Sequence, residues 1–176
     1  MAIAVFMKPL DSWFALVTRP RHEKSASVGL RAKGLEEFLP LRRSRRRWTD
    51  RVQAIDLPLF PGYLFCRFGL EQYVRVMQTP GVRAVVGFGG KPVPVAASEI
   101  DTLQAVLGSG CGVQPWPYLT AGDRVRLADG PLAGIEGILL REKNQFQVVV
   151  SVELLQRSVA VEIARESVVV LKATNP

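Results

Sequence analysis

The apolar and polar positions divide the chain into two parts that have different periods. From residue 12 to residue 109, segments with a strand pattern alternate with segments with a helical pattern. The predicted elements are, in chain order, a strand at 12–19, a helix at 21–33, a long hairpin arm at 52–68, and helices at 70–77 and 98–108. This alternation favours an α+β domain in which helices flank an antiparallel sheet.

Two of the predicted helices have an apolar face that the spacing defines. Residues 70–77 place four apolar side chains three and four positions apart, namely Leu70, Tyr73, Val74 and Met77. The other helix starts at Ser98, a capping-box serine, and stops at Gly108. One of its faces holds Ile100, Leu103 and Leu107. We expect both faces to pack against the sheet.

After residue 121 the period of the apolar positions changes to two, which is typical of half-buried strands. Turn residues separate about five such runs, and this predicts a small all-β antiparallel barrel. Three glycines, at positions 130, 134 and 137, are expected at its sharp turns. Leu132 and Ile135 lie in the loop between two strands, where we expect exposure; they are either core or a patch for a partner.

The two parts are separated by residues 108–122, which are rich in Gly and Pro and contain no charged residue. We therefore predict a tail at 1–11, a first domain at 12–109, a linker at 110–120 and a second domain at 121–173.

A Pro-Gly break interrupts the apolar stretch LPLFPGYLFCRF, residues 57–68. Strand alternation after the break places Leu64, Cys66 and Phe68 on one face and Tyr63, Phe65 and Arg67 on the other. Two hypotheses follow: either the stretch is ordinary core, or the break presents Phe60 and the second face to another protein.

The net charge of +7 is confined to the first two-thirds of the chain. Residues 1–113 contain 16 Lys/Arg and nine Asp/Glu, whereas residues 114–176 contain seven of each. A polyanionic partner is therefore expected for the first part.

An arginine-rich run, residues 42–51, is the strongest electrostatic feature. It contains Trp48, a single acid, Asp50, and six arginines: Arg42, Arg43, Arg45, Arg46, Arg47 and Arg51. Arginine forks bind phosphate, so a non-specific, salt-sensitive contact with the backbone of DNA or RNA is favoured. The alternative is a solvated hairpin tip whose charges prevent edge-to-edge pairing.

A smaller basic cluster contains Arg21 and Lys24 and falls at the start of the first predicted helix. An anion bound there would be favoured by the helix dipole, and an accidental cluster of charge on a turn is the alternative.

Several classes of protein are disfavoured. The chain lacks a phosphate-binding loop, GxSxG and HExxH, and its single histidine and two cysteines are too few for a tetrahedral zinc site. We expect a protein that is not an enzyme and holds no metal or cofactor. No apolar run approaches the roughly 20 residues of a membrane helix, and Lys8 follows rather than precedes the first apolar stretch, so a cytoplasmic location is expected.

Taken in order, these motifs resemble the NusG family of transcription elongation factors. The first part is similar to its N-terminal, or NGN, domain in Trp13-Phe14, in Phe60-Pro-Gly-Tyr63, and in Thr79-Pro-Gly-Val-Arg83 leading to Val86-Gly-Phe-Gly-Gly90. The second resembles a KOW domain, an SH3-like barrel, in residues 123–137. The sequence LPLFPGYLFCRF resembles the specialised antiterminator paralogs of the family more closely than the housekeeping factor.

The resemblance implies a function and partners. The N-terminal domain would bind the clamp helices of the largest RNA polymerase subunit and suppress pausing or termination as a monomer. Matching by motif, its docking residues are Val17, Phe60, Pro61, Tyr63 and Phe65. The KOW domain would bind a small-subunit ribosomal protein or the Rho termination factor through Leu132 and Ile135.

A ribosome-associated or general RNA-binding protein is the rival hypothesis, since KOW motifs also occur in ribosomal proteins and the arginine-rich run suits RNA. A structural adaptor without any effect on transcription is a third.

Overall fold

The computed structural model describes residues 11–47, 52–118, 122–142 and 145–172. The chain divides into two compact units, Met1–Leu39 with Pro61–Ala97 and Pro40–Phe60 with Ser98–Pro176. Within the described residues the strands and α-helices are, in chain order, β1 Ser12–Thr18, α1 Glu23–Ala32, β2 Glu36–Phe38, β3 Leu41–Arg47, β4 Val52–Pro58, β5 Tyr63–Phe68, α2 Tyr73–Met77, β6 Val82–Val85, β7 Gly87–Phe88, β8 Lys91–Pro92, β9 Pro94–Val95, α3 Ala97–Gly108, β10 Val113–Trp116, β11 Arg124–Leu127, β12 Glu136–Glu142, β13 Gln145–Val152, β14 Arg157–Ile163 and β15 Val168–Lys172.

The first unit is built on an antiparallel sheet in the order β2-β5-β1-β6, and β9 also pairs with β1. One face of this sheet forms the core with α1 and α2. The buried residues of the core are Phe14, Leu16, Ala26, Leu30, Leu35, Leu64, Cys66, Phe68, Val76 and Val82. The sequence prediction of Leu64, Cys66 and Phe68 as the core face of β5 is therefore confirmed.

The predicted apolar face of residues 70–77 is wrong at two positions. Leu70 and Val74 are each 62% exposed, whereas Val76 is fully buried and Tyr73 and Met77 pack against the core. The reason is that residues 70–72 form a 3-10 turn, which has three residues per turn and shifts the phase of the five-residue helix that follows. In α3 the buried residues are Ile100, Leu103 and Val106, so that Val106 takes the place predicted for Leu107.

The second unit contains a six-stranded antiparallel sheet in the order β10-β14-β13-β12-β11-β15. Strands β11 to β14 pair with their neighbours in sequence, and β15 returns to pair with β11. The predicted strands are present, but the period of two holds in β11, where the buried Val125 and Leu127 alternate with exposed arginines, and fails in β13 and β14. Residues 147–150 and 158–161 are buried in succession, so both faces of these two strands are covered. The Glu99 carboxylate of α3, in the same unit, accepts a hydrogen bond from the Glu153 backbone N–H at 3.1 Å.

Residues 113–116, which the sequence places in a linker, form β10 and pair with β14. Pro115 lacks a backbone N–H, but β10 lies at the edge of the sheet, where a proline is tolerated. The domain boundaries also differ, since Pro40–Phe60, placed by the sequence in the first domain, belongs to the second compact unit.

Among the described residues, no helix is long and apolar enough to cross a membrane. The same residues contain no group of three or more His, Cys, Asp or Glu side chains arranged to hold a metal ion. Cys66 and Cys111 are free thiols.

Candidate binding surfaces

The Pro-Gly break is a turn that leads into β5. Gly62 has a φ of +86°, a left-handed conformation that glycine adopts without a steric penalty. Its N–H donates to Glu23 Oε1 at 2.8 Å, and its carbonyl accepts from the Thr18 N–H at 2.9 Å. The turn is therefore held from both sides, by the end of β1 and by the first turn of α1.

Val17 and Tyr63 lie side by side next to this turn. They are directly paired in the β1–β5 register, so both side chains are on the same face of the sheet, and both are half-buried. Pro61 is exposed. Three of the five predicted docking residues are thus accessible and neighbouring.

The expected exposure of the other two predicted docking residues is wrong. Phe65 is fully buried and stacks on Phe38 with a centroid separation of 6.1 Å, and Phe60 is only 3% exposed. Trp13 and Ala15, on the same sheet face as Phe65, are buried as well. Alternation indicates which side chains share a face, but whether that face is covered depends on the tertiary structure.

The described part of the arginine-rich run lies on β3, which pairs with β4 in a two-stranded ribbon of the second unit. Arg43 and Arg45 are exposed on one side, and the acid opposite, Asp56, lies 3.7 Å from Arg43. Arg42 is half-buried, and its Nε has no hydrogen-bond partner. Arg46 and Arg47 continue β3, whereas Trp48, Asp50 and Arg51 lie outside the described residues.

The smaller basic cluster is on the turn between β1 and α1, as the sequence predicts. Arg21 and Lys24 are both exposed, and Arg21 has a φ of +63°. No side chain caps α1, whose first turn contains the buried carboxylate of Glu23. That carboxylate is committed to the Gly62 N–H, so the arrangement does not indicate a built anion site.

A tight turn between β11 and β12 holds the two predicted KOW partner residues. Leu132 is only 4% exposed and Ile135 is half-buried, so the expected exposure of Leu132 is wrong. Gly130 and Gly134, at φ values of +75° and +87°, form the turn, and the Gly134 N–H donates to the Leu127 carbonyl at 2.7 Å. The turn formed in this way directs the Leu132 side chain toward the interior of the second unit.

An open groove of about 480 Å³ adjoins this turn. Its lining residues include Leu127, Pro131, Leu132, Glu162 and Ile163. Leu132 is therefore a wall of a groove rather than a protruding contact.

The sequence interpretation missed the hairpin β7–β8. Phe88 on this hairpin is 86% exposed, more than any other large apolar side chain in the described part of the chain. The signal was present as a Gly-Gly pair between two short apolar segments, which is typical of a two-residue hairpin turn.

Burial also sets the chemistry of Cys66. Burial first, and then the charges of Glu37 and Glu36, raise the pKa of the Cys66 thiol to about 12. A thiol of this kind is unreactive near neutral pH, and it packs as a small apolar side chain.

A family model described as NusG, transcription termination factor nusG, matches residues 11–104, more than half of the chain. The chain belongs to the NusG family. Its sequence is 28% identical over 168 residues to the transcription termination/antitermination protein NusG of Thermus thermophilus, covering 80% of this chain and 89% of that protein. It is 30% identical over 135 residues to the corresponding NusG protein of Pseudomonas aeruginosa, covering 73% and 72%.

The fold of the NusG chain is also similar to a solved structure, titled "Domain interaction in Thermotoga maritima NusG". The TM-score is 0.58 at 22% identity, and the match covers 92% of this chain and 98% of the other. The mixed fold, in which strands predominate over helices, is thus a NusG-like fold. The chain is a NusG-family transcription termination/antitermination factor.

Proposed function

We propose that this NusG-family factor binds the clamp helices of the largest RNA polymerase subunit through its first unit and suppresses pausing or termination. The observation that carries the proposal is the turn at Gly62, which is hydrogen-bonded to both β1 and α1. This turn holds Pro61 and Tyr63 beside Val17 before any partner binds. A preformed surface binds with a smaller loss of conformational entropy than a mobile loop does.

Within this surface the five docking residues have different roles. Val17, Pro61 and Tyr63 are accessible and make the contact. Phe65 lies on the same sheet face as Tyr63 and, with its ring stacked on Phe38, supports that face from within the first unit. Phe60 immediately precedes Pro61 and is buried in the free chain, so its proposed role is to anchor the chain before the turn rather than to make the contact.

Binding of this kind changes the rate of elongation only if it distinguishes two states of the polymerase. A factor that binds the closed clamp more tightly than the open clamp shifts the population toward the closed state. Pausing and termination, which need the open state, are then suppressed.

The arginine ribbon supplies a second contact, with the phosphate backbone of nucleic acid. Arg43 and Arg45 project from the same side of β3, and Asp56 is the one acid among the described residues of β3 and β4. Their spacing of two residues, about 7 Å along a strand, places two forks in one row. This contact carries no sequence information and strengthens whatever complex the first unit forms.

In the second unit, residues 121–173 form the KOW domain, an SH3-like barrel, and its groove beside Leu132 and Ile135 receives a ribosomal protein or Rho. The support for this assignment is the apolar wall provided by Leu127, Pro131, Leu132 and Ile163. An apolar side chain from the partner would fill such a groove.

Polymerase docking is tested by measuring the affinity of the full chain for core RNA polymerase. Tyr63→Ala and Val17→Ala should each weaken binding by about tenfold, a typical loss for an interface anchor. Val74→Ala, which truncates another exposed apolar side chain of the first unit, should bind as wild type does. Unchanged affinity in folded Tyr63→Ala and Val17→Ala proteins would remove the docking assignment.

The arginine ribbon is tested by the salt dependence of duplex DNA binding. R43Q/R45Q should lower the slope of log K against log salt by about 1.8, because each lost phosphate contact contributes about 0.9. R124Q/R126Q is a matched control, because it removes two exposed arginines two residues apart on β11. Both of these contact Glu136, whereas in the ribbon pair Arg43 lies 3.7 Å from an acid, Asp56. An equal effect of the two double variants would contradict the assignment.

The second candidate function, a ribosome-associated or RNA-binding protein, is favoured by the arginine ribbon alone. It predicts tight binding of structured RNA that survives an excess of duplex DNA and is lost in R43Q/R45Q. It also predicts no effect of the chain on a purified polymerase in a pausing assay.

A further inference from the structure

The hairpin β7–β8 is attached to the main sheet of the first unit at both ends. The Val86 N–H donates to the Ala15 carbonyl at 2.8 Å, and β9, which follows the hairpin, pairs with β1. The Val93 N–H closes the base of the hairpin with a bond to the Val86 carbonyl at 3.1 Å. A two-stranded hairpin alone is marginally stable, so these attachments keep this one in place.

Its tip is a two-residue turn that the sequence is built to form. Gly89 and Gly90 have φ values of +58° and +77°, as a type I′ turn requires at both central positions. At Gly87 a Cβ atom would overlap the Lys91 carbonyl, so the two short strands approach each other closely. The tip is thus a narrow, defined element.

The tip presents one aromatic and one basic side chain on the same side. Phe88 and Lys91 are direct cross-strand partners, and side chains in such a pair have Cβ atoms roughly 5 Å apart. Both residues are exposed, and Phe88 makes no contribution to the core. Between residues 80 and 98 the chain contains only two charged residues, Arg83 and Lys91, and both are basic.

We propose that the β7–β8 hairpin is a contact site for single-stranded nucleic acid, in which Phe88 stacks on a base and Lys91 pairs with a neighbouring phosphate. Unpaired bases offer a free face to an aromatic ring, whereas the bases of a duplex are already stacked on one another. The absence of acids between residues 80 and 98 suits a polyanion.

The surroundings of Phe88 favour a nucleic acid over a protein pocket. Protein interfaces bury a cluster of apolar side chains around their anchor. The neighbours of Phe88 at the tip are instead three glycines and a lysine. A lone aromatic ring beside a cation matches the stacking platforms of single-strand binders.

The test must read the hairpin without contributions from the arginine ribbon or from polymerase binding. The test therefore uses the full chain without polymerase, in an R43Q/R45Q background. The probe is fluorescein-labelled oligothymidine of about 12 nucleotides, a length within the usual site size of one small domain. A duplex of the same length is measured in parallel by fluorescence anisotropy.

Phe88→Ala should weaken oligothymidine binding by about tenfold, because one stacked base is lost. Phe88→Trp should retain or increase affinity, while Phe88→Leu, which stays apolar but cannot stack, should behave like the alanine variant. Lys91→Gln should lower the salt slope by about 0.7, the value for one phosphate contact on a single strand. Val74→Ala should have no effect.

Three results would overturn the proposal. The first is equal affinity of wild type, Phe88→Ala and Phe88→Leu for oligothymidine. The second is a loss of duplex binding in Phe88→Ala that equals its loss of oligothymidine binding. This would mean that the tip does not select single strands. The third is normal oligothymidine binding by Phe88→Ala together with lost binding to core RNA polymerase, which would identify the tip as a protein contact. The first two results come from binding measurements without polymerase, so they do not test the proposal that the first unit docks on RNA polymerase.

Discussion

Strand β5 and the hairpin β7–β8 belong to the same unit and both carry phenylalanine, yet they use it in opposite ways. Phe65 and Phe68 on β5 are fully buried, whereas Phe88 on β7 is 86% exposed. The two strands also differ in position, since β5 lies between β2 and β1, whereas in the described part of the chain β7 is paired with β8 alone. An aromatic residue next to a glycine turn is therefore not enough to identify a docking surface.

The same comparison changes the assignment of roles in this NusG-family chain. The aromatic rings that the motif resemblance implies as contacts are largely structural in the free chain, except for Tyr63. Phe88, which is exposed and lies outside the core, belongs instead to the β7–β8 hairpin. Four predictions test this division, in order of decreasing effect.

The largest contrast is in thiol reactivity. In a C111S background, Cys66 on β5 should react with iodoacetamide at about pH 8 at least about a thousandfold more slowly than the new thiol of F88C, because little thiolate forms when the pKa is about 12. Mass spectrometry of labelled protein measures both rates. Rapid labelling of Cys66 in folded protein would show that β5 is accessible. Full labelling in urea is the control.

The next contrast is in stability. Phe65→Ala should lower the free energy of unfolding by about 3 to 5 kcal/mol, since it leaves a cavity at a fully buried position. Phe88→Ala should change it by less than about 0.5 kcal/mol, as expected for an exposed side chain. Urea denaturation followed by circular dichroism compares the two. Similar losses in both variants would contradict the comparison.

A smaller effect concerns the shape of the hairpin rather than its aromatic ring. Gly87→Ala places a Cβ against the Lys91 carbonyl and should open the hairpin, which lowers oligothymidine binding by about the same tenfold as loss of the ring. Gly89→Asn is the matched control, since nothing lies within 4 Å of its Cβ and asparagine accepts a positive φ. If both variants bind equally well, the closure of the hairpin is unimportant for binding.

The smallest effect extends the comparison to the second unit, where burial acts on a charged group. Burial is the main cause of the raised pKa of Glu99, and the charge of Glu153 adds to it, while the hydrogen bond from the Glu153 N–H opposes it. Ionised Glu99 therefore destabilises the folded state, and this cost grows as the pH rises through the raised pKa.

Accordingly, Glu99→Gln should stabilise the chain at neutral pH by less than about 1 kcal/mol, because the group is partly screened by solvent. The gain should shrink as the pH falls from the raised pKa of Glu99 toward the pKa of an unfolded glutamate, and it should be absent below the latter. Thermal unfolding across that pH range measures it. A gain that grows on acidification would have the wrong sign.

Much of the fold could be predicted because local patterns decide it. The strand β1 and the division of the chain after residue 121 into short antiparallel strands follow from alternation and turn residues. Positive φ at Gly130 and Gly134 follows from the same reasoning. The phase of α2 could not be predicted, because a 3-10 turn before it depends on how the chain leaves β5.

The sequence could predict which strand faces hold the proposed docking residues, but not whether those residues are exposed. The sequence by itself determined which side chains share a face: Tyr63 and Phe65 on one, Leu64 and Cys66 on the other. It also determined the charge of the β3–β4 ribbon and the glycine turns, since these depend on residue identity and local geometry alone.

Only the tertiary structure decided that Phe60 and Phe65 are buried, that residues 113–116 become an edge strand, and that Phe88 is left in solvent. The physical reason is that burial is a property of what covers a surface. Covering elements come from distant parts of the chain, and no local period records them.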